Sequence, residues 1–193
     1  MPETVAPHRL VALLRAINVG GHTVNMDRLR ALFAELGLTG VSTFIASGNV
    51  VFDAPGEDAH ALERRIGAHL ERSLGYPVAT FVRSPDELAA VAEHRPFPEP
   101  DGAEGASLYV AFLHGAPGDE GRRRVMELRT EVDDVHVHGR ELYWLCHVRS
   151  SDSTFSGAVL EKRLGMPATL RNVTTVRKLA AKYAAAGRQA GRR

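Results

Sequence analysis

Leu74-Gly75-Tyr76-Pro77 (LGYP) returns 90 residues later as Leu164-Gly165-Met166-Pro167 (LGMP). Each copy follows an apolar helical pattern; before the first, Leu62, Ile66 and Leu70 share one face. Glycine is the natural residue just past a helix end, and the proline two positions on cannot continue the helix. Each motif therefore reads as a helix stop followed by a strand. Upstream of each stop lies a hairpin glycine, Gly48 or Gly139, at nearly equal distances of 27 and 26 residues. Punctuation of this kind at two corresponding places predicts an internal duplication.

Working outward, residues 9–14 (RLVALL) predict a strand buried in the middle of a sheet. Met26, Leu29, Leu32, Phe33 and Leu36 predict a helix ended by Gly37. Val41 to Ala46 and Asn49 to Phe52 predict two strands around a tight turn at Ser47-Gly48. The helix ending at Leu74 and a strand from Pro77 through Val82 come next. Ser84-Pro85-Asp86-Glu87 then reads as a capping box with proline in the first helical turn. The second half repeats the order, with strands at Leu108–Leu113, Val135–His138 and Glu141–Val148, helices at Asp119–Arg129 and from about Thr154, and a last helix capped by Asn172. The predicted fold class is α+β, two fused ferredoxin-like βαββαβ subdomains, each with a trailing helix. The divisions predicted are residues 1–93, a Pro-, Gly- and acid-rich linker over 94–106, and 107–193 with a basic C-terminal helix and tail.

The copies are unequal in one place. Leu13 lies 35 residues before its hairpin glycine, whereas Leu113 lies 26 before Gly139. Much of the excess falls between Ala16 and Asn25, in the loop INVGG. Extra loop length on a rigid scaffold is where sites often sit. Gly20-Gly21 can turn successive N–H groups toward an anion at the first helix's N-terminus, and Arg15 can add a bidentate contact. The alternative is that the glycines merely permit a turn and Arg15 pairs with an acid. Ser47-Gly48-Asn49 reads first as a turn, and Asn172 as an N-cap supported by Thr175. Arg171, beside that cap, is the freer residue to meet a ligand.

Several chemistries lack their signatures. GxGxxG and GK[ST] are missing, as are GxSxG, HExxH and CxxC. His136 and His138 share a strand face near Asp133 and Asp134, but the sequence offers no third ligand, so no metal site is predicted. His22 can act as an acid or base, with no partner legible. No cofactor is identifiable, and the lone Cys146 reads as a core residue. The strand NVVFDA lacks the stacking aromatics of an RNA-recognition sheet.

Hydrophobic content of 44% and charged content of 24% fit a globular protein, and no apolar run is long enough to span a bilayer. The net charge of +1 is unevenly spread. Residues 162–193 hold nine Lys or Arg and no acid, which leaves the rest at −8. Such a segment reads either as a solvated basic helix with a frayed tail or as an arm for nucleic acid. The expected location is cytoplasmic, without a membrane partner.

LLRAINVGG, MDRLRALFAELG, TFIASGNVVFD and ATLRNVTTVRKL, in that order, resemble the domain-of-unknown-function family numbered 1697. The resemblance implies a bacterial cytoplasmic α+β protein of two ferredoxin-like subdomains and brings no reaction or cofactor. Arg15, Asn18, Gly20, Gly21, Ser47, Gly48, Asn49, Arg171, Asn172 and Thr175 match the family's pattern and are the candidate ligand-binding residues. Ala16 stands where the family usually has glycine, and Val173 where it commonly has tryptophan. The leading expectation is a module that binds a phosphate-bearing or other anionic small molecule. An enzyme using the same cleft, and an interaction module using a sheet face or the basic C-terminus, are the alternatives.

Overall fold

The computed structural model describes residues 7–18, 21–45, 48–98 and 105–190, with only the backbone of Pro7 and of residues 184–190. Its elements run β1 (Pro7–Leu14), α1 (Met26–Glu35), β2 (Thr39–Thr43), β3 (Asn49–Pro55), α2 (Ala59–Leu74), β4 (Thr80–Arg83) and α3 (Pro85–Glu93). The order then repeats as β5 (Ser107–Leu113), α4 (Asp119–Met126), β6 (Asp133–His138), β7 (Glu141–Cys146), α5 (Gly157–Leu164), β8 (Ala168–Asn172) and α6 (Val173–Ala190). The fold is mixed α+β, with two four-stranded antiparallel sheets ordered β2-β3-β1-β4 and β6-β7-β5-β8. With β1 matched to β5, the two orders are the same, as the repeated punctuation predicts.

The helix stops behave as read. Gly75 and Gly165 are left-handed at φ 81° and 69°, and their N–H groups donate to Glu71 O and Glu161 O. The capping box also forms: Ser84 N–H donates to Glu87 Oε2 (2.7 Å), and Glu87 N–H donates to Ser84 Oγ (3.1 Å). Other boundaries differ. β2 ends at Thr43, short of the expected Ala46, and β4 starts at Thr80, three residues after Pro77. α5 starts at Gly157 because a single 3₁₀ turn takes up Ser150–Asp152 and Ser156 serves as the N-cap.

Helix-facing strand residues build one core per sheet. Ala12, Leu14, Val50, Phe52 and Val82 meet Leu29, Phe33, Leu62 and Ile66 in the first. Ala111, Leu113, Leu142 and Trp144 meet Val125 and Leu160 in the second. Residues at the alternate positions are buried as well: Val11, Leu13, Val51 and Phe81 in one sheet, Val110, Phe112 and Tyr143 in the other. Burial on both faces explains why these strands read as unbroken apolar runs. Tyr143 Oη donates to Val91 O (3.2 Å), which sets the end of α3 over the second face of the second sheet.

Both edge strands next to the central ones are tied by a helix carboxylate. Glu63 of α2 accepts from Val82 N–H (2.8 Å), and Glu161 of α5 accepts from Ala168 N–H (2.8 Å). Each removes an N–H that a new strand would otherwise use.

The chain forms two compact units, residues 1–88 with 179–193, and residues 89–178. These units part within α3 and within α6.

Candidate functional site

In the first unit, two loops meet at the C-terminal end of β1. Leu14 N–H donates to Gly48 O (2.8 Å), joining the β1–α1 loop to the β2–β3 turn. Gly48 sits at φ 74°, and a Cβ there would lie 3.0 Å from Ile17 Cβ and 3.2 Å from Leu14 Cβ. Only glycine fits this close approach. Buried Asn49 closes the turn, donating from Nδ2 to Phe44 O (3.0 Å) while its own carbonyl accepts from Phe44 N–H (2.9 Å). Asn18 closes the other loop, its Oδ1 accepting from Val24 N–H (2.8 Å). Half-buried Arg15 is anchored through its N–H to Ala79 O (2.9 Å), and Gly21 is left-handed at φ 88°. Arg15, Asn18, Gly21, Gly48 and Asn49 thus belong to one loop pair. Gly20 and Ser47 lie outside the described residues.

These loops carry conformational strain. Ala16, Asn18 and Ile45 have φ values of 63°, 56° and 57°, and they are the non-glycine residues with positive φ among those described. Asparagine tolerates this region; alanine pays roughly 1–2 kcal/mol there, and a β-branched residue is a genuine outlier. A glycine at position 16 would remove the first of these strains. Ile45 is also an exposed large hydrophobic residue, 52% accessible. Beside the loop, His22 stacks on Tyr76 (centroids 3.8 Å apart, rings 22° from parallel). The Tyr76 hydroxyl is buried without a hydrogen-bond partner, and burial raises its pKa.

Arg171, Asn172 and Thr175 belong to the second unit. Arg171 is buried on β8, opposite Val110, and Nη1 donates to Thr169 Oγ1 and to Leu170 O (both 2.8 Å). Burial lowers its guanidinium pKa to about 10. Arg171 is therefore a buried, hydrogen-bonded part of the sheet rather than the freer residue that its place beside a cap suggests. Asn172 Oδ1 accepts from Thr174 N–H (2.9 Å), the capping contact expected of it at the start of α6. Thr175 is half-buried on that helix's first turn. α6 runs on through Gly187 to Ala190, and the basic side chains from Arg188 onward lie outside the described residues.

A cleft of about 450 Å³ in the first unit lies at the opposite end of β1, lined by His8, Arg9, Gly56, Glu57, Ser84 and Asp86 among others. Two of its charges are paired with residues beside it: Arg9 Nε with Asp53 (2.6 Å), and Glu57 with Arg65 (2.6 Å).

One group of polar residues escaped the sequence reading. His94, from the expected linker, joins His136 and His138, with one ring nitrogen of each within 4.8 Å of the others. The HxH spacing on a strand was legible; the third histidine, some forty residues upstream in a segment read as connection, was not.

The family described as a protein of unknown function, DUF1697, matches residues 8–143, and the chain belongs to that family. The match covers the strained loop pair and the three histidines and ends before the ATLRNVTTVRKL segment. No curated protein matches the chain. Among solved structures, a conserved bacterial protein from Streptococcus pneumoniae, SP0830, is similar at 21% identity and a TM-score of 0.72 over 92% of this chain and 99% of that one. At that identity the likeness is one of fold. No helix among the described residues is long and apolar enough to cross a membrane.

Proposed function

We propose that this chain is a cytoplasmic binding protein for a phosphate-bearing or other anionic small molecule, held at the paired loops of the first unit. The observation that carries the reading is the gathering of left-handed Ala16, Asn18 and Ile45 in two loops packed on each other. Strain of this kind persists where surrounding structure over-determines it, and it clusters at ligand clamps and active sites. Arg15 supplies the positive charge, and the backbone around Gly21, leading toward α1, supplies N–H donors. In the same reading each unit is a ferredoxin-like module, which the βαββαβ order and the central placing of β1 and β5 support. Arg171 and Asn172 then serve the second sheet and the start of α6.

A catalytic version of this site is favoured by one observation, the His22–Tyr76 stack beside the loop. A phenol already carries its proton at neutral pH and burial raises the Tyr76 pKa further, so Tyr76 would serve as a hydrogen-bond donor, with His22 the acid or base beside it.

A thermal-shift screen of nucleotides, sugar phosphates and carboxylates tests the reading, because a ligand at 100 times its Kd stabilises by about 2.7 kcal/mol. A hit should vanish in Arg15→Ala with the ligand-free melting temperature kept. A hit that survives Arg15→Ala, or a panel that shifts nothing, sinks the proposal.

A further inference from the structure

His136 and His138 alternate with core-facing Val135 and Val137 on β6, so both rings stand on the sheet face away from that core. Tyr143 and Glu141 oppose them in register on β7, on the same face. His94 follows the last turn of α3, its N–H donating to Ala90 O (3.1 Å), and lies over this face. Its ring is 4.2 Å from that of His138 at 22°, 5.6 Å from His136, and 4.9 Å from the Tyr143 ring. All these residues belong to the second unit.

Packing alone does not account for the group. Three imidazoles crowd together, and His94 Nε2 is buried with no hydrogen-bond partner. An unsatisfied buried nitrogen costs on the order of 1–3 kcal/mol. Neutral imidazole is the form that binds metal, through a single nitrogen lone pair. Arg122, whose Nη1 donates to Val137 O (3.1 Å), is the nearby cation, and Glu141, buried opposite His138, is the acid on the same face.

We propose that His94, His136 and His138 form a three-histidine site for a divalent late transition-metal ion, zinc foremost, with its fourth position open. Imidazole ligands suit zinc, copper, nickel and cobalt and do not suit magnesium or calcium. Three protein nitrogens with one open position is the arrangement of catalytic rather than structural zinc. Zinc–nitrogen bonds of about 2.0–2.1 Å require the nitrogens to draw closer than their present spread. The adjustment falls to His138, an exposed ring that must turn off the face of His94 until the lone pairs converge. The ion would engage the lone pair that His94 Nε2 otherwise leaves unused. The site stands apart in chemistry from the anion-binding reading, and neither depends on the other.

The test uses the full chain, free of any histidine tag and stripped with a chelator, titrated with Zn²⁺ and separately with Co²⁺. The expected result is one equivalent bound, a raised melting temperature, and cobalt d–d bands of a four-coordinate nitrogen and oxygen site without thiolate charge transfer. Mg²⁺ should change nothing. His138→Ala, at an exposed position, should keep the fold and weaken Zn²⁺ binding by at least ~100-fold, since even second-shell losses cost ~10–100-fold. His136→Asn should do the same, and His60→Ala, a histidine of the first unit, should have no effect. Binding that His138→Ala and His136→Asn leave intact, binding weakened equally by His60→Ala, or no stoichiometric binding at all would overturn the site.

Discussion

Replacing Ala16 by glycine should stabilise this protein, although the same exchange almost anywhere else weakens one. Ala16 is held at φ 63°, a conformation costing an L-residue roughly 1–2 kcal/mol and glycine nothing. Against that gain stand the extra freedom of glycine in the unfolded chain, about 0.4–1 kcal/mol, and loss of a half-buried methyl, about 0.4 kcal/mol. The balance is about 0.5 kcal/mol in favour of glycine, or one to two degrees in melting temperature for a chain this long. Ala31 provides the internal control: it is exposed in the middle of α1, where Ala→Gly costs about 1 kcal/mol. Urea unfolding of the two variants beside the parent should therefore give changes of opposite sign, about 1.5 kcal/mol apart. If Ala16→Gly loses as much as Ala31→Gly, position 16 is not strained and the reading of the loop pair loses its foundation. If it gains stability and also weakens a ligand found in the anion screen, the strain is tied to binding.

Gly48→Ala should act in the opposite direction. It combines a left-handed φ of 74° with a new methyl 3.0 Å from Ile17 Cβ, so a loss of about 2–4 kcal/mol is expected in urea unfolding. A loss below 1 kcal/mol would show that the two loops are not packed as described. Glu63→Ala removes the acceptor of Val82 N–H and the carboxylate 3.7 Å from the guanidinium of buried Arg83, and should cost about 3 kcal/mol. Glu63→Gln keeps an acceptor for Val82 and should cost clearly less; equal losses would mean that charge, not the edge-strand hydrogen bond, is what matters.

Much of the fold was legible because it is written in local chemistry. Leu74-Gly75 and Leu164-Gly165 stop helices through a conformation that only the glycine takes without strain, and Ser84 with Glu87 starts one through two reciprocal hydrogen bonds. The apolar run at 9–14 announced a central strand because both faces of its sheet are buried. What the sequence left dark depends on distant neighbours. Nothing local tells that Arg171 is buried among its own strand's acceptors, or that Asn18 and Asn49 spend their polar groups closing loops. His94 sits in a polar, proline-rich segment, and only the fold carries it to a strand more than forty residues away. The meeting of the first loop with the hairpin is likewise a long-range contact, made by Leu14 and Gly48.

The division of the chain within α3 and α6 has a consequence for its birth on the ribosome. The second unit is one continuous segment, 89–178, while the first is drawn from residues 1–88 together with the C-terminal part of α6. Domains of a nascent chain ordinarily finish in the order in which they are made. Here that order inverts: the later-encoded unit has all its residues once Lys178 has emerged. The earlier one, its sheet already synthesised, receives its last helical turns only afterwards. A stalled or truncated chain lacking those turns would contain a whole second unit and an unfinished first.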